Sequence, residues 1–352
     1  MRALILTVFS SLIFNKVSSQ SAQVDTSNYS HLIGGTSDDY IKKGSTKYLI
    51  EDFKGAIADF TKAIELNPND SYAFYDRAIS EAKLNDFDNA IVDYNKSIEL
   101  NPNYPEVYNN RGVSKNKLKD YKGAIADYFK AIEINPNYGD AFYNKGISNY
   151  ELKNYNDAIS DFTKAIELLP NYSITYYNRG LVKYKLRKYK GAIKDYNKAI
   201  NLNPKNDWAF NNRGICKYKL RKFKGALKDH NSAIELNPEN VEALICRGNA
   251  KKVLKDYVGA KKDYDKVINL NPNYWEAYYG NGDIQFDLKN YDVAINYYNK
   301  VIELNPSDKG AYYDRGLSKF KFGDKTGACS DWRKALEKGS KNAGSEILKN
   351  CR

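Results

Sequence analysis

Apolar residues recur at helical spacing through most of this chain, and the whole pattern then repeats. From Tyr189 the apolar positions run through Ala192, Ile193, Tyr196 and Ile200, one face of an amphipathic helix. Proline stands at 68, 102, 136, 170, 204, 238, 272 and 306, always 34 residues apart, and only Pro105 falls outside the series. A fixed interval of this length marks a repeat architecture. Counting back from each proline gives nine repeats, 37–70, 71–104, 105–138, 139–172, 173–206, 207–240, 241–274, 275–308 and 309–342, the last with Ser340 in the proline position. Each repeat reads as two helices. In the fifth they are predicted at about residues 174–186 and 189–202, the second ended by Asn203-Pro204 because proline disfavours helical backbone in the residue before it.

Small residues fall where paired helices must approach closely. The eighth position of a repeat is Gly44, Gly112, Gly146, Gly180, Gly214, Gly248, Gly282 or Gly316, with Ala78 the exception, and the twentieth is always alanine, from Ala56 to Ala328. Position 7 is basic and position 23 acidic in the same eight repeats, as in Arg111 and Asp127, and the eighth repeat loses both at once, with Asn281 and Tyr297. That joint loss predicts an ion pair between the two helices of one repeat. An aromatic at position 4, Gly or Ala at 8, Ala at 20, an aromatic at 24, Ala at 27 and Pro at 32 complete the pattern, quoted from the fifth repeat as Tyr176, Gly180, Ala192, Tyr196, Ala199 and Pro204. Over residues 37–342 the chain resembles the tetratricopeptide-repeat family, with local departures at His230, Leu244, Val267 and Val301. The resemblance implies an all-α fold: a right-handed superhelical solenoid of nine helix-turn-helix repeats whose first helices line a concave groove. It also implies a protein-binding scaffold, with a likeness to exported bacterial arrays. Residues 343–352 are expected to be a capping helix with Ile347 and Leu348 turned inward, since terminal repeats of such arrays need a cover.

The N-terminus stands apart from this pattern. Arg2 precedes an uncharged run, Ala3 to Phe14, followed by Val17-Ser18-Ser19, which is the pattern of a secretory signal peptide over 1–19. That run is shorter than the roughly 20 residues a membrane span needs. No transmembrane span is expected once it is removed. Residues 20–36 read as a loose polar arm, and the chain as an exported one, periplasmic, secreted or associated with the envelope.

Enzymatic patterns are missing. The sequence holds no P-loop, no G-x-S-x-G and no H-E-x-x-H, and its two histidines are His31, in the arm, and His230, in an aromatic packing slot. No catalytic residue, metal site or cofactor is expected, and the chain reads as a non-enzyme.

Candidate binding residues follow from the first-helix face. Asn110, Asn144, Asn178 and Asn212 occupy position 6 of four successive repeats; Tyr143 and Tyr177 stand at position 5, Tyr150, Tyr184 and Tyr218 at position 12, and Trp208 at position 2. An amide side chain both donates and accepts, matching a peptide backbone, and tyrosine offers apolar area with a polar tip. The expectation is a partner-binding groove for extended protein segments, resembling the asparagine ladder of some family members.

Charge adds a second candidate surface. The chain carries +12, and repeats five, six and seven alone carry +8, +3 and +3. Lys185, Arg187, Lys188, Lys190, Lys219, Arg221, Lys222 and Lys224 surround two inter-helix turns and are expected to stack into a basic ridge. A ridge of one sign attracts acidic protein, anionic glycan or lipid; export makes nucleic acid a poor fit. Of the four cysteines, Cys329 and Cys351 are placed to form a disulfide that staples the cap, while Cys216 and Cys246 sit on neighbouring first helices, where either free thiols or a bridge would fit.

Overall fold

The computed structural model describes residues 35–351, so the segment expected to be a signal peptide, His31 and most of the expected arm lie outside the described residues. Within that range the fold is all helical, nineteen α-helices without a strand. They fall into two compact units, the first ending at Leu186 and the second beginning at Arg187.

The first unit contains α1 (Ser37–Leu49), α2 (Phe53–Leu66), α3 (Ser71–Lys83), α4 (Phe87–Leu100), α5 (Pro105–Lys117), α6 (Tyr121–Ile134), α7 (Gly139–Glu151), α8 (Tyr155–Leu168) and α9 (Ser173–Lys185). The second contains α10 (Tyr189–Leu202), α11 (Asp207–Lys219), α12 (Phe223–Leu236), α13 (Val241–Val253), α14 (Tyr257–Leu270), α15 (Trp275–Asp287), α16 (Tyr291–Leu304), α17 (Lys309–Phe322), α18 (Lys325–Glu337) and α19 (Lys341–Asn350). The second helix of the fifth repeat keeps its expected bounds, and the first shifts by one residue at each end.

Local chemistry sets the helix ends. Asp52, Asp86, Asp120, Asp256 and Asp324 cap second helices by accepting the backbone N–H three residues on, at 2.9 Å from Gly55 to Asp52. The inter-helix turn places its fifteenth residue in left-handed backbone: Glu51, Asn85, Lys119, Lys153, Arg187, Arg221, Lys255 and Lys289 all have φ between 57° and 65°. Only the ninth repeat puts glycine there, Gly323.

The core is built inside each repeat and between neighbours. The glycine at position 8 lies under the ring at position 24: a Cβ on Gly112 would stand 2.7 Å from Tyr128 and one on Gly214 2.7 Å from His230. This close approach, rather than backbone freedom, requires glycine. All nine alanines at position 20 are fully buried.

The expected ion pair forms within the repeat. Arg111 donates to both oxygens of Asp127, at 2.9 and 2.5 Å, and Lys115 adds a third bond at 2.8 Å. The same fork joins Arg77 to Asp93, Arg213 to Asp229, Arg247 to Asp263 and Arg315 to Asp331, and Lys145 holds Asp161 singly at 2.8 Å. In the first repeat it is Lys47 that pairs with Asp59, at 2.6 Å. The third guanidinium donor reaches back to position 25 of the preceding repeat, as in Arg111 to Asn95 Oδ1 at 2.7 Å.

At the C-terminus, α19 begins two residues earlier than expected. Ile347 packs against the cluster around Trp332, but Leu348 is 70% exposed, which corrects its expected inward turn. Residues 347 and 348 are adjacent, and a helix turns about 100° per residue, so a narrow apolar stripe admits only one of them. Cys329 and Cys351 are disulfide-bonded and fasten α19 to α18. Cys216 and Cys246 are free.

Candidate functional site

The first-helix face is far more closed than its sequence suggests. Asn110, Asn144 and Asn178 are fully buried, and Asn212 nearly so. Asn110 Nδ2 donates to Tyr75 Oη at 3.0 Å, Asn144 Nδ2 to Asn109 Oδ1 at 3.0 Å, and Asn178 Nδ2 to Tyr143 Oη at 3.0 Å. Each bond runs from position 6 of one repeat to position 5 of the repeat before it. This corrects the expectation of an open asparagine ladder. Adjacent first helices close over these amides, which join helix to helix. Tyr143, Tyr177 and Tyr150 are buried as well. Position 12 is tied across the turn to position 17, in Tyr150–Tyr155 at 5.7 Å and Tyr218–Phe223 at 5.1 Å between ring centroids. Tyr184, Tyr218 and Trp208 remain half-buried and present part of their surface.

Sequence reading missed a more open set in the first unit. Tyr72 and Tyr104 meet edge to face at 5.2 Å, and Tyr104 also lies 4.9 Å from Tyr75. Glu106 and Asp140, both at position 2, adjoin this aromatic row. Burial raises the pKa of Tyr104 and Tyr138; the charge of Glu106 raises both further, and that of Asp140 adds to the second. Asp140 Oδ1 is buried without a hydrogen-bond partner among the described residues, and burial raises the carboxyl's pKa. The recurring acid at position 2 was the available signal.

His230 sits in the packing slot expected of it. It is fully buried, its Nδ1 lies 2.9 Å from Asn211 Oδ1, and its Nε2 has no partner among the described residues. Burial lowers its pKa to about 4, so the ring is neutral. Burial pushes the Cys216 and Cys246 thiols up to about 12, which holds them protonated and unreactive. Among the described residues no three His, Cys, Asp or Glu side chains gather as metal donors, and no helix is long and apolar enough to cross a membrane.

The basic residues are all on the surface. Lys185 is exposed at the end of the first unit; in the second, Arg187, Lys188, Lys190, Lys219, Arg221, Lys222 and Lys224 are exposed. Lys188 and Lys222 occupy the N-cap position that aspartate fills in five other repeats, and neither caps its helix. Lysine there forgoes the cap and adds charge at the positive end of the helix dipole.

Helical pairs, most of them closed by a half-buried ion pair, define a repeat scaffold. The tetratricopeptide repeat profile matches residues 105–138, 139–172, 173–206, 208–240 and 275–308, and related repeat profiles match 40–70 and 80–118. The chain belongs to the tetratricopeptide repeat family, whose members bind protein or peptide partners and are generally non-catalytic. A comparison with curated proteins finds no match. Among solved structures, a tetratricopeptide repeat protein from Parabacteroides merdae is 22% identical with a TM-score of 0.56, covering 70% of this chain and 97% of its own. PilF of Pseudomonas aeruginosa is 21% identical with a TM-score of 0.53, covering 62% of this chain and 97% of its own. YrrB, described as a TPR protein with an unusual peptide-binding site, is 26% identical with a TM-score of 0.48, covering 55% of this chain and 97% of its own.

Proposed function

We propose that the chain is a non-catalytic, exported scaffold that holds an extended segment of a protein partner against its first-helix face. The observation that carries this reading is the row of Tyr72, Tyr104, Glu106 and Asp140 on the first unit. There the exposed ring of Tyr72 meets Tyr104, Glu106 lies within electrostatic reach of Tyr104 and Tyr138, and Asp140 near Tyr138 keeps a carboxylate oxygen that nothing in the described chain satisfies. A buried acceptor left without a donor is costly, and rotation of the half-buried Asp140 side chain toward a partner's N–H would supply the missing bond. In the second unit, Trp208 and Tyr218 are half-buried aromatic residues on first helices. The buried asparagines act behind this surface, holding the helices that present it. The test is selection of peptides from an immobilised random library on the full chain, followed by affinity measurement with Tyr104→Ala and Asp140→Ala. A loss of roughly tenfold or more in either variant is expected for a central contact; unchanged affinity in both refutes the placement.

A second reading is favoured by Lys188 and Lys222. Replacing a capping aspartate by lysine in two successive repeats lowers local stability, and an anionic partner on the turn ridge is what would offset that loss. Binding that weakens steeply with salt and disappears on charge reversal at Arg187, Lys188, Arg221 and Lys222 is expected; salt-insensitive binding sinks it.

A further inference from the structure

The repeats serve as controls for one another on the outer face of their second helices. Positions 18 and 22 lie one helical turn apart on that face, and both are exposed throughout the array. Position 22 is Ala58, Val92, Ala126 and Ser160 in the first four repeats and Asn296 and Ser330 in the last two, but Lys194, Lys228 and Lys262 in repeats five to seven. Position 18 adds Lys190 and Lys224 in two of these repeats. Lysine thus fills both outer positions on α10 and α12, and α14 carries Lys262 with Lys266 one turn further on. All three helices belong to the second unit.

Most of the acids that would neutralise this face are engaged or deleted, with Glu235 on α12 the exposed exception. The carboxylate on α10, Asp195, is 4% exposed. Asp229 on α12 is held by Arg213 and Lys217, Asp263 on α14 by Arg247 and Lys251, and Asp265 by Lys261. In repeats one to four and eight, Lys at position 26 pairs with Glu at 29, as in Lys164–Glu167 at 3.0 Å. Repeats five and seven replace that glutamate by Asn201 and Asn269.

We infer that this lysine face rests on an anionic lipid bilayer, which deepens the second reading above and depends on it. The face is populated in two directions, along each helix and from repeat to repeat, and so matches a charged plane better than a single strand. Its cations are lysines, hydrated point charges on flexible stems, suited to a laterally mobile field of headgroups; the exposed arginines of these repeats, Arg187 and Arg221, stand in the turns. The three helices present no outward aromatic ring at positions 18, 22 or 26, which leaves bases no stacking platform. Val258, 72% exposed at position 18 of the seventh repeat, adds an apolar group at the level where headgroups meet acyl chains.

The experiment is co-sedimentation of the full chain with vesicles of phosphatidylcholine alone or with about 30 mol % phosphatidylserine, at low and raised salt. The face variant is Lys190→Glu, Lys194→Glu, Lys224→Glu and Lys228→Glu; the ridge variant reverses Arg187, Lys188, Arg221 and Lys222. Binding to the anionic vesicles only, weakened by salt and reduced roughly tenfold or more in the face variant, is the expected result. A milder Lys→Gln set at the same four positions must move binding in the same direction, and circular dichroism melting confirms that both sets fold. Absence of binding to anionic vesicles overturns the inference. If the chain binds heparin or an acidic protein through the ridge but no vesicle, the inference falls and the second reading stands. Vesicle binding lost in the ridge variant but kept in the face variant overturns the assignment to this face.

Discussion

The buried imidazole of His230 makes the sixth repeat acid-sensitive in a window its neighbours do not share. His230 is fully buried and its pKa falls from 6.5 to about 4. Burial is the main cause; Arg247 and Lys217 act in the same direction, while Asp229 and Asp263 oppose it. An unfolded chain takes up a proton near pH 6.5, whereas the folded repeat refuses it until about pH 4. The stability conferred by the neutral ring is therefore complete above pH 6.5 and is lost as pH falls toward 4. Each pH unit separating the folded and unfolded titrations is worth about 1.4 kcal/mol, so the loss amounts to about 3 kcal/mol. His230→Phe removes the titration with a ring that already fills this slot as Phe60 and Phe162. It also leaves Asn211 short of a partner, a cost that does not vary with pH. The measurement is hydrogen exchange of α12 peptides, corrected for intrinsic rates, together with urea melts of both proteins between pH 7.5 and 4.5. The wild-type stability relative to the variant should fall by about 2–3 kcal/mol across that range. Other groups titrate nearby, since burial raises Glu81 to about 7 and Asp314 to about 6, but they belong to the second and ninth repeats and cancel in the difference. A difference that stays flat with pH refutes the reasoning.

Further outcomes follow from other parts of the array. Removing Asp127 alone strands the Arg111 guanidinium and should cost about 3–5 kcal/mol in a denaturant melt, with the Arg111→Ala, Asp127→Ala double variant costing less than the sum of the singles. Lys222→Asp should restore the missing cap on α12 and raise stability by about 1 kcal/mol, read as a higher melting temperature. Reduction of Cys329–Cys351, which closes a 22-residue separation, should cost about 3 kcal/mol by loop-closure entropy, seen as faster exchange in α19.

Helix positions, the close helix approach at the position-8 glycine and the ion pair within a repeat were legible because each repeats with the same interval. Periodicity locates a face of a helix but is silent on whether a neighbour covers it. For that reason Asn110, Asn144 and Asn178 read as a binding surface although they are buried. A clue lay one step away: the residue 35 positions earlier is Tyr75, Asn109 or Tyr143, each able to accept an amide hydrogen. Glu51 or Lys153 in left-handed backbone carries no glycine signal, so those turns were recognisable only by their place between helices. The turn lysines were conspicuous as a cluster, whereas Lys194, Lys228 and Lys262 stand out only when the nine repeats are laid side by side.

The eighth repeat has neither the arginine nor the aspartate that clasp the helices of its fellows; Asn281 donates instead to Asp265 in the seventh repeat. Its own two helices are thus joined less firmly than those on either side. Strain applied along such a chain parts the weakest fastening first. The eighth repeat would give way as a seam, with the disulfide-bound terminal repeat coming away as one piece and the seven before it left intact.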